Sequence, residues 1–204
     1  MSILETEVKF LIEDVTSIRR AIIELGVESQ GRWFETNLRF EDPQKSLRLR
    51  KALLRLRQAR KTTLTFKSCP SQTDRQVKAL MEQEVEVSDF AEMKAILESL
   101  GYQVEQVYEK WRETFKLETT LFCLDTMPYG TFLEIEGPRE DIPRYAARLG
   151  LSWPRRILRT YLELFDIVKA GDGLNFSDLT FANFQGLQID MNTYLARMAE
   201  GPIS

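Results

Sequence analysis

Along several stretches of the chain, polar and apolar residues alternate one by one, the period of a strand with one wet face and one dry face. In "LETEVKFLI" (4–12), Glu5, Glu7 and Lys9 share one face, while Leu4, Val8, Phe10 and Ile12 share the other. The period then becomes helical. Ile18, Ala21, Ile22 and Leu25 fall on one stripe, Asp14 or Thr16 can cap the start, and Gly26 suits the stop. The same order recurs at 82–101, where Glu84 and Glu86 alternate with Val85 and Val87, Ser88 or Asp89 caps, and Leu100-Gly101 closes the helix. It appears again at 132–150, with Glu134 and Glu136 on the strand and Leu149-Gly150 at the helix end. Glu-x-Glu on a strand, a helix, then Leu-Gly is thus a recurring unit, too irregular in period for a solenoid.

Further strands fit between these units. Residues 33–41 form one, and "ALLRLRQARKTTLTFKS" (52–68) reads as a hairpin with a polar turn at 58–61. There Arg55 and Arg57 share a face on the first arm, and Thr63, Thr65 and Lys67 on the second. In 107–118, Lys110, Arg112, Thr114 and Lys116 lie opposite Trp111, Phe115 and Leu117. A last hairpin turns at Pro128-Tyr129-Gly130. The expectation is an α+β domain of about eight mostly antiparallel strands and three helices, running to about residue 150. From 153 the pattern predicts a helix (153–171), an aromatic-bearing loop (172–185) and a final helix (187–201), laid on the domain as packing elements.

Composition narrows the chemistry. The 204 residues are 43% apolar and 29% charged, with a net charge of −3, which offers no overall attraction to nucleic acid or anionic membranes. No apolar run has bilayer length and the first segment is strand-like, so the expected compartment is the cytoplasm. Cys69 and Cys123 form no metal-binding spacing and are read as reduced thiols. The chain has no histidine. Any catalysis therefore rests on carboxylates, Lys, Arg, Tyr or an oxygen-bound metal.

A single Glu-x-Glu strand ordinarily faces solvent, and an open sheet with one wet face would accommodate all of them. An eight-stranded twisted sheet, however, tends to curl or close, which would turn these charged faces inward. Glu5, Glu7, Glu84, Glu86, Glu134 and Glu136 would then face Lys9, Arg55, Arg57, Lys67, Lys110 and Arg112. A dry enclosure of that kind is very costly. A wet one suits charged guests: carboxylates for Mg²⁺ or Mn²⁺, Arg and Lys for phosphate.

The residues "ETEVK" (5–9), "LRLR" (54–57), "LTFK" (64–67), "EQEVEV" (82–87), "KWR" (110–112), "FLEIEG" (132–137) and "TYLEL" (160–164) stand in the order found in the CYTH superfamily, the triphosphate tunnel metalloenzymes. The resemblance covers about residues 3–165, with a tunnel domain at 1–165 and a packed loop and helix at 166–204. It implies an eight-stranded antiparallel β-barrel, with helices outside, that binds a triphosphate and Mg²⁺ or Mn²⁺. Lys9, Arg55, Arg57, Lys67, Lys110 and Arg112 would hold phosphate. Glu5, Glu7, Glu86, Glu134 and Glu136 would hold the metal or its waters, with Glu84 behind them. Lys9, Glu5 and Glu7 are the catalytic candidates, Lys9 through a lowered pKa. The earlier "LRLR" (47–50) is read as a decoy, with Arg48 and Arg50 at the surface. Arg39-Phe40-Glu41-Asp42 departs from the family's aromatic-aromatic-Asp run, leaving Arg39 either at the tunnel mouth or on the surface. Tyr161 either closes one tunnel end or belongs to the core.

The leading reaction is metal-dependent triphosphate hydrolysis. The alternatives are a class IV adenylate cyclase, a non-catalytic polyphosphate-binding module, and a plain domain with a solvated sheet. The expected partner is a small triphosphate, with no nucleic acid and no membrane, on a monomer or homodimer. None of the residues placed in this way reads a base or a sugar.

Overall fold

The computed structural model describes residues 3–70 and 74–199. Its strands are β1 (Ile3–Leu11), β2 (Ser29–Glu41), β3 (Leu53–Gln58), β4 (Thr62–Ser68), β5 (Lys78–Val87), β6 (Gln103–Leu117), β7 (Thr120–Met127) and β8 (Gly130–Glu136). They close into a barrel in the order β1-β5-β4-β3-β2-β6-β7-β8, antiparallel at every contact. Closure leaves no unpaired sheet edge. It also gives the alternation two destinations, because each strand's apolar face packs outward and its charged face lines the interior.

Outside, α1 (Val15–Glu24) and α4 (Asp141–Arg148) cover the β1–β8–β7–β6 side. Val8, Phe10, Ile22, Phe115, Phe122, Ile135 and Ile142 form the core there. The helix α3 (Phe90–Ser99) covers Leu38, Phe40 and Leu56 through Leu97. Each such side chain contributes about 1.5–3 kcal/mol by leaving water. Asp14 and Asp89 cap their helices, accepting from the backbone N–H of Ser17 and Glu92 at 2.9 Å. The Leu-Gly endings are true stops, with Gly26, Gly101 and Gly150 all at positive φ, a region closed to most other residues.

The first "LRLR" becomes the short helix α2 (Ser46–Leu49), with Arg48 and Arg50 exposed. Glu41 and Asp42 hold it in place: the buried Glu41 accepts from the backbone N–H of Leu47 and Arg48, and Asp42 accepts from that of Ser46.

The C-terminal segment differs from the helix expected at 153–171. Trp153–Arg155 is one 3₁₀ turn, Ile157 then pairs with Lys9 as a β-bridge, and only after this does α5 (Tyr161–Asp172) begin. The cause is local. The upper half of β1 lacks a β5 partner, and Ile157 exchanges backbone hydrogen bonds with Lys9 at 3.0 and 2.8 Å instead. Thr160 and Glu163 then form a capping box that starts the helix anew. The expected last helix is a 3₁₀ turn at Met191–Tyr194 followed by α6 (Leu195–Ala199), and its final residues, 200 and 201, lie outside the described residues. Leu179 bridges β6 where that strand outruns β7, and Phe165, Val168, Leu179, Tyr194 and Met198 build a third core over the β7–β8 end of the barrel. No described helix is long and apolar enough to cross a membrane.

Candidate active site

Register determines which side chains meet inside the barrel. Lys9 stands beside Glu134 and Glu7 beside Glu136 across β1 and β8, and Arg112 stands beside Asp125 across β6 and β7. Arg57 and Asn37 are opposite one another on β3 and β2, and Lys67 is opposite Glu82 on β4 and β5. The Lys9 ammonium, 2% exposed, lies 2.6 Å from Glu7 and 2.9 Å from Glu134. Asp125 is fully buried and accepts from Lys110 Nζ at 2.8 Å, Arg112 Nε at 2.6 Å and the Tyr161 hydroxyl at 2.9 Å. Arg112 also pairs with Glu134, and Lys67 with both Glu5 and Glu82. Arg57 reaches Glu84 at 2.8 Å and Glu35 at 3.7 Å.

The two ends of the barrel differ. At the β7–β8 end, Tyr161 projects inward from α5, its ring 5.2 Å from Lys9 Nζ and 5.3 Å from Lys110 Nζ, and Tyr129 and Ile157 pack around it. Tyr161 is therefore both core and cover. Toward the other end, exposure along one face of β5 climbs from 18% at Glu82 to 35% at Glu84 and 58% at Glu86. That end is the mouth. Glu86 stands at its rim, paired with Lys61 at 2.6 Å, while Glu82 occupies the interior beside Lys67.

The electrostatics divide the carboxylates into two groups. Burial would raise Glu7 and Glu134, but Lys78 and Lys9 hold Glu7, and Lys9 and Arg112 hold Glu134, below the usual carboxylate range. Glu35 resists burial in the same way, held at about 2 by Lys110, Arg112 and Arg57. Glu5 behaves oppositely: burial, then the neighbouring Glu7, push it up to about 8. Glu136 is likewise raised by burial, Glu7 and Glu134. Lys9 corrects the expectation of a lowered pKa, since despite its burial Glu134 and Glu7 hold it firmly protonated. Cys123, pushed up to about 12 chiefly by burial, is an inert thiol.

On this inner face Arg55 Nε and Asn37 Oδ1 are buried without a hydrogen-bond partner, and Glu35 Oε2 has only the Lys110 ammonium, at 3.6 Å. Such atoms are costly unless something else completes them. Two other cavities lie elsewhere, one of about 510 Å³ between α3 and the outer faces of β2 and β6, and they gather no comparable charge.

The CYTH domain family model matches residues 4–147. The chain belongs to the CYTH family. No curated protein gives a match. Among solved structures, a candidate adenylate cyclase from Vibrio parahaemolyticus superposes with a TM-score of 0.69 at 20% identity, covering 81% of this chain and 99% of that one. The PH1012 protein of Pyrococcus horikoshii gives 0.65 at 29% identity, covering 78% and 98%. HpAC1 of Hippeastrum, described as having a dominant triphosphatase activity, gives 0.57 at 16% identity, covering 79% and 95%.

In this CYTH barrel, Glu5, Glu7, Lys9, Arg55, Arg57, Lys67, Lys110, Arg112, Glu134 and Glu136 all come together inside, with Glu84 nearer the mouth and Glu86 at its rim. Arg39 shares the register position of Arg55 and pairs with Glu105 at 3.6 Å. Sequence reasoning missed Glu35, Asn37, Lys78, Glu82, Tyr108 and Asp125. For all but Lys78 the signal was present, because each continues the alternation of a strand already assigned: Asp125 lies two residues beyond Cys123, and Glu82 two before Glu84; Lys78 is cut off from that pattern by Leu80.

Proposed function

We propose that this CYTH protein hydrolyses a triphosphate inside the barrel with the help of a divalent cation. The observation that carries the proposal is the inner face, where buried cations and carboxylates interleave and Arg55 Nε has no partner of its own. Lys9 and Lys110 are the most buried of these cations and would take the terminal phosphoryl oxygens; Arg55, Arg57, Lys67 and Arg112 would take the rest. Each ion pair there would exchange a carboxylate partner for a phosphate oxygen, and Arg can do so with two parallel bonds.

The fit of a metal can be judged from the carboxylates. Glu5 and Glu136 are both raised chiefly by burial and further by neighbouring carboxylates, so a cation placed among them would relieve both effects. The donors are all oxygen, which suits Mg²⁺ or Mn²⁺. Among the described residues no three carboxylates already stand as a metal cluster, and Glu5, Glu7 and Glu134 are each paired with a cation. Glu5, Glu7 and Glu136, with Glu134 beside them, are the residues that would hold the ion. A bound divalent cation neutralises phosphoryl charge and favours water as nucleophile. Lys9, held protonated, stabilises charge that develops on the phosphoryl oxygens. Glu5, raised by burial and Glu7 while no cation is bound, would be deprotonated beside the ion and would orient the attacking water and take up its proton.

The test supplies tripolyphosphate, thiamine triphosphate and ATP, and follows orthophosphate, pyrophosphate and cyclic AMP. Orthophosphate release that stops in EDTA and returns with Mg²⁺ or Mn²⁺ is the expected result. Cyclic AMP and pyrophosphate as the main products from ATP would assign the cyclase instead, and full turnover in chelator would remove the metal.

A further inference from the structure

Lys9 stands on β1 and Lys110 on β6, and β7 and β8 lie between those strands, so no ladder fixes the separation of the two ammonium groups. Tyr161 supplies that link from outside the sheet. Its one ring lies 5.2 Å from Lys9 Nζ and 5.3 Å from Lys110 Nζ, with both ammonium groups over it. Its hydroxyl donates at 2.9 Å to Asp125 Oδ2, the same oxygen that accepts from Lys110 at 2.8 Å.

The ring is itself held from several sides. Tyr161 opens α5 directly after the capping box of Thr160 and Glu163, which fixes where its backbone starts. The Tyr129 hydroxyl donates to the Tyr161 carbonyl oxygen at 2.8 Å, and the Phe132 ring packs edge-on with centroids 5.4 Å apart. A side chain so fixed can set the place of softer neighbours, and lysine is among the most flexible of side chains.

Carboxylates hold these lysines too: Glu7 and Glu134 hold Lys9, and Asp125 holds Lys110. Those partners have the charge of a phosphate and compete with it. An aromatic ring attracts a cation through its quadrupole, carries no net charge, and need not leave when an anion arrives.

We propose that Tyr161 is a positioning residue that keeps Lys9 and Lys110 at a set separation, so that a terminal phosphoryl group meets both at once. This rests on the triphosphate reading of the barrel and names what prepares its two most buried cations for the ligand. Without the ring, each ammonium would settle onto its own carboxylates, and binding would have to draw both back.

The experiment compares wild type with Tyr161→Leu, Tyr161→Phe and Phe165→Leu. Phe165 lies on the same helix and in the same core cluster, so its variant reports loss of packing alone. Two readouts are taken in EDTA: the NMR signals of the lysine ammonium protons without ligand, and calorimetric binding of tripolyphosphate. Protons over an aromatic face are shifted upfield by its ring current. Two such signals are expected in wild type, each lost on Lys9→Arg or Lys110→Arg, and their absence would by itself overturn the proposal. Tyr161→Leu is expected to remove both upfield shifts and Tyr161→Phe to keep them. A desolvated cation–π contact corresponds to about 5- to 30-fold in affinity. Tyr161→Leu is therefore expected to weaken tripolyphosphate by that factor beyond Phe165→Leu, while Tyr161→Phe keeps most of the wild-type affinity. Unmoved lysine signals in Tyr161→Leu, or a binding loss no greater than that of Phe165→Leu, would leave Tyr161 a core residue and overturn the proposal. A wild type that binds no tripolyphosphate would refute the triphosphate reading instead, and the lysine signals, read without ligand, would still decide whether the ring positions them.

Discussion

Asp125→Asn is the most informative single change. The carboxylate is fully buried and accepts from Lys110, Arg112 and Tyr161 at 2.6–2.9 Å. Both of its oxygens receive donors, so the asparagine amide would point N–H groups at N–H or O–H groups on one side. Breaking a buried ion pair from one side costs about 3–5 kcal/mol. Here Arg112 keeps Glu134 and Lys110 keeps Glu35 at 3.6 Å, which places the loss near the lower end, about 3 kcal/mol. For a chain of this size that is roughly a 6–12 °C fall in melting temperature. The proposed site adds a distinctive feature. A bound triphosphate would give Lys110 and Arg112 the negative partner that the neutral amide no longer provides, so saturating tripolyphosphate should narrow the gap between variant and wild type. Differential scanning fluorimetry with and without the ligand in EDTA measures both effects. A variant that melts with the wild type would refute the hub role of Asp125. A gap of constant size would show that its two cations do not face the ligand.

Arg55→Ala or Arg57→Ala should cost about 2–5 kcal/mol in triphosphate binding or transition-state stabilisation while circular dichroism stays native, and unchanged kinetics in both would place these arginines outside the site. Glu35 titrates at about 2 in the folded chain against 4.5 in its ordinary state, so its stabilisation is complete above about pH 4.5 and is lost as pH falls toward 2. Glu35→Gln should therefore be less stable than wild type at pH 7, by at most about 3 kcal/mol, with the difference shrinking across that acid window in denaturant titrations. Removing residues 170–204 takes away Leu179, Phe184, Met191, Tyr194 and Met198, which pack on Phe165 and Tyr108. The shortened chain should melt lower and bind a hydrophobic dye, and an unchanged melting curve would show that this cluster contributes little.

The barrel was legible because alternation is a local signal and the strands carry it with few interruptions. The Leu-Gly helix stops were equally plain, since only a left-handed residue ends those helices. What escaped was non-local. Ile157 pairs with Lys9 because β1 outruns β5, and nothing near Ile157 encodes that mismatch. Depth in the tunnel was hidden for the same reason. Glu82, Glu84 and Glu86 are equivalent in sequence, and only the tilt of β5 makes one interior and another rim. Asp125, without a twin two residues away, showed no pattern beyond the alternation of β7.

The cover that Tyr161 and α5 place over the β7–β8 end also governs traffic. With the proposed chemistry at the deep cations, the phosphoryl group cleaved there lies behind the remainder of the substrate, and both fragments share one way out. Departure then follows a queue: the outer fragment goes first, and orthophosphate last. Orthophosphate would compete directly with fresh substrate for the vacated protein, whereas the outer fragment would rebind only to the form still holding orthophosphate. The same geometry sets how longer phosphate chains are handled. Under the proposed chemistry they would be shortened from an end, one insertion at a time, and would not be threaded through and cut in the middle.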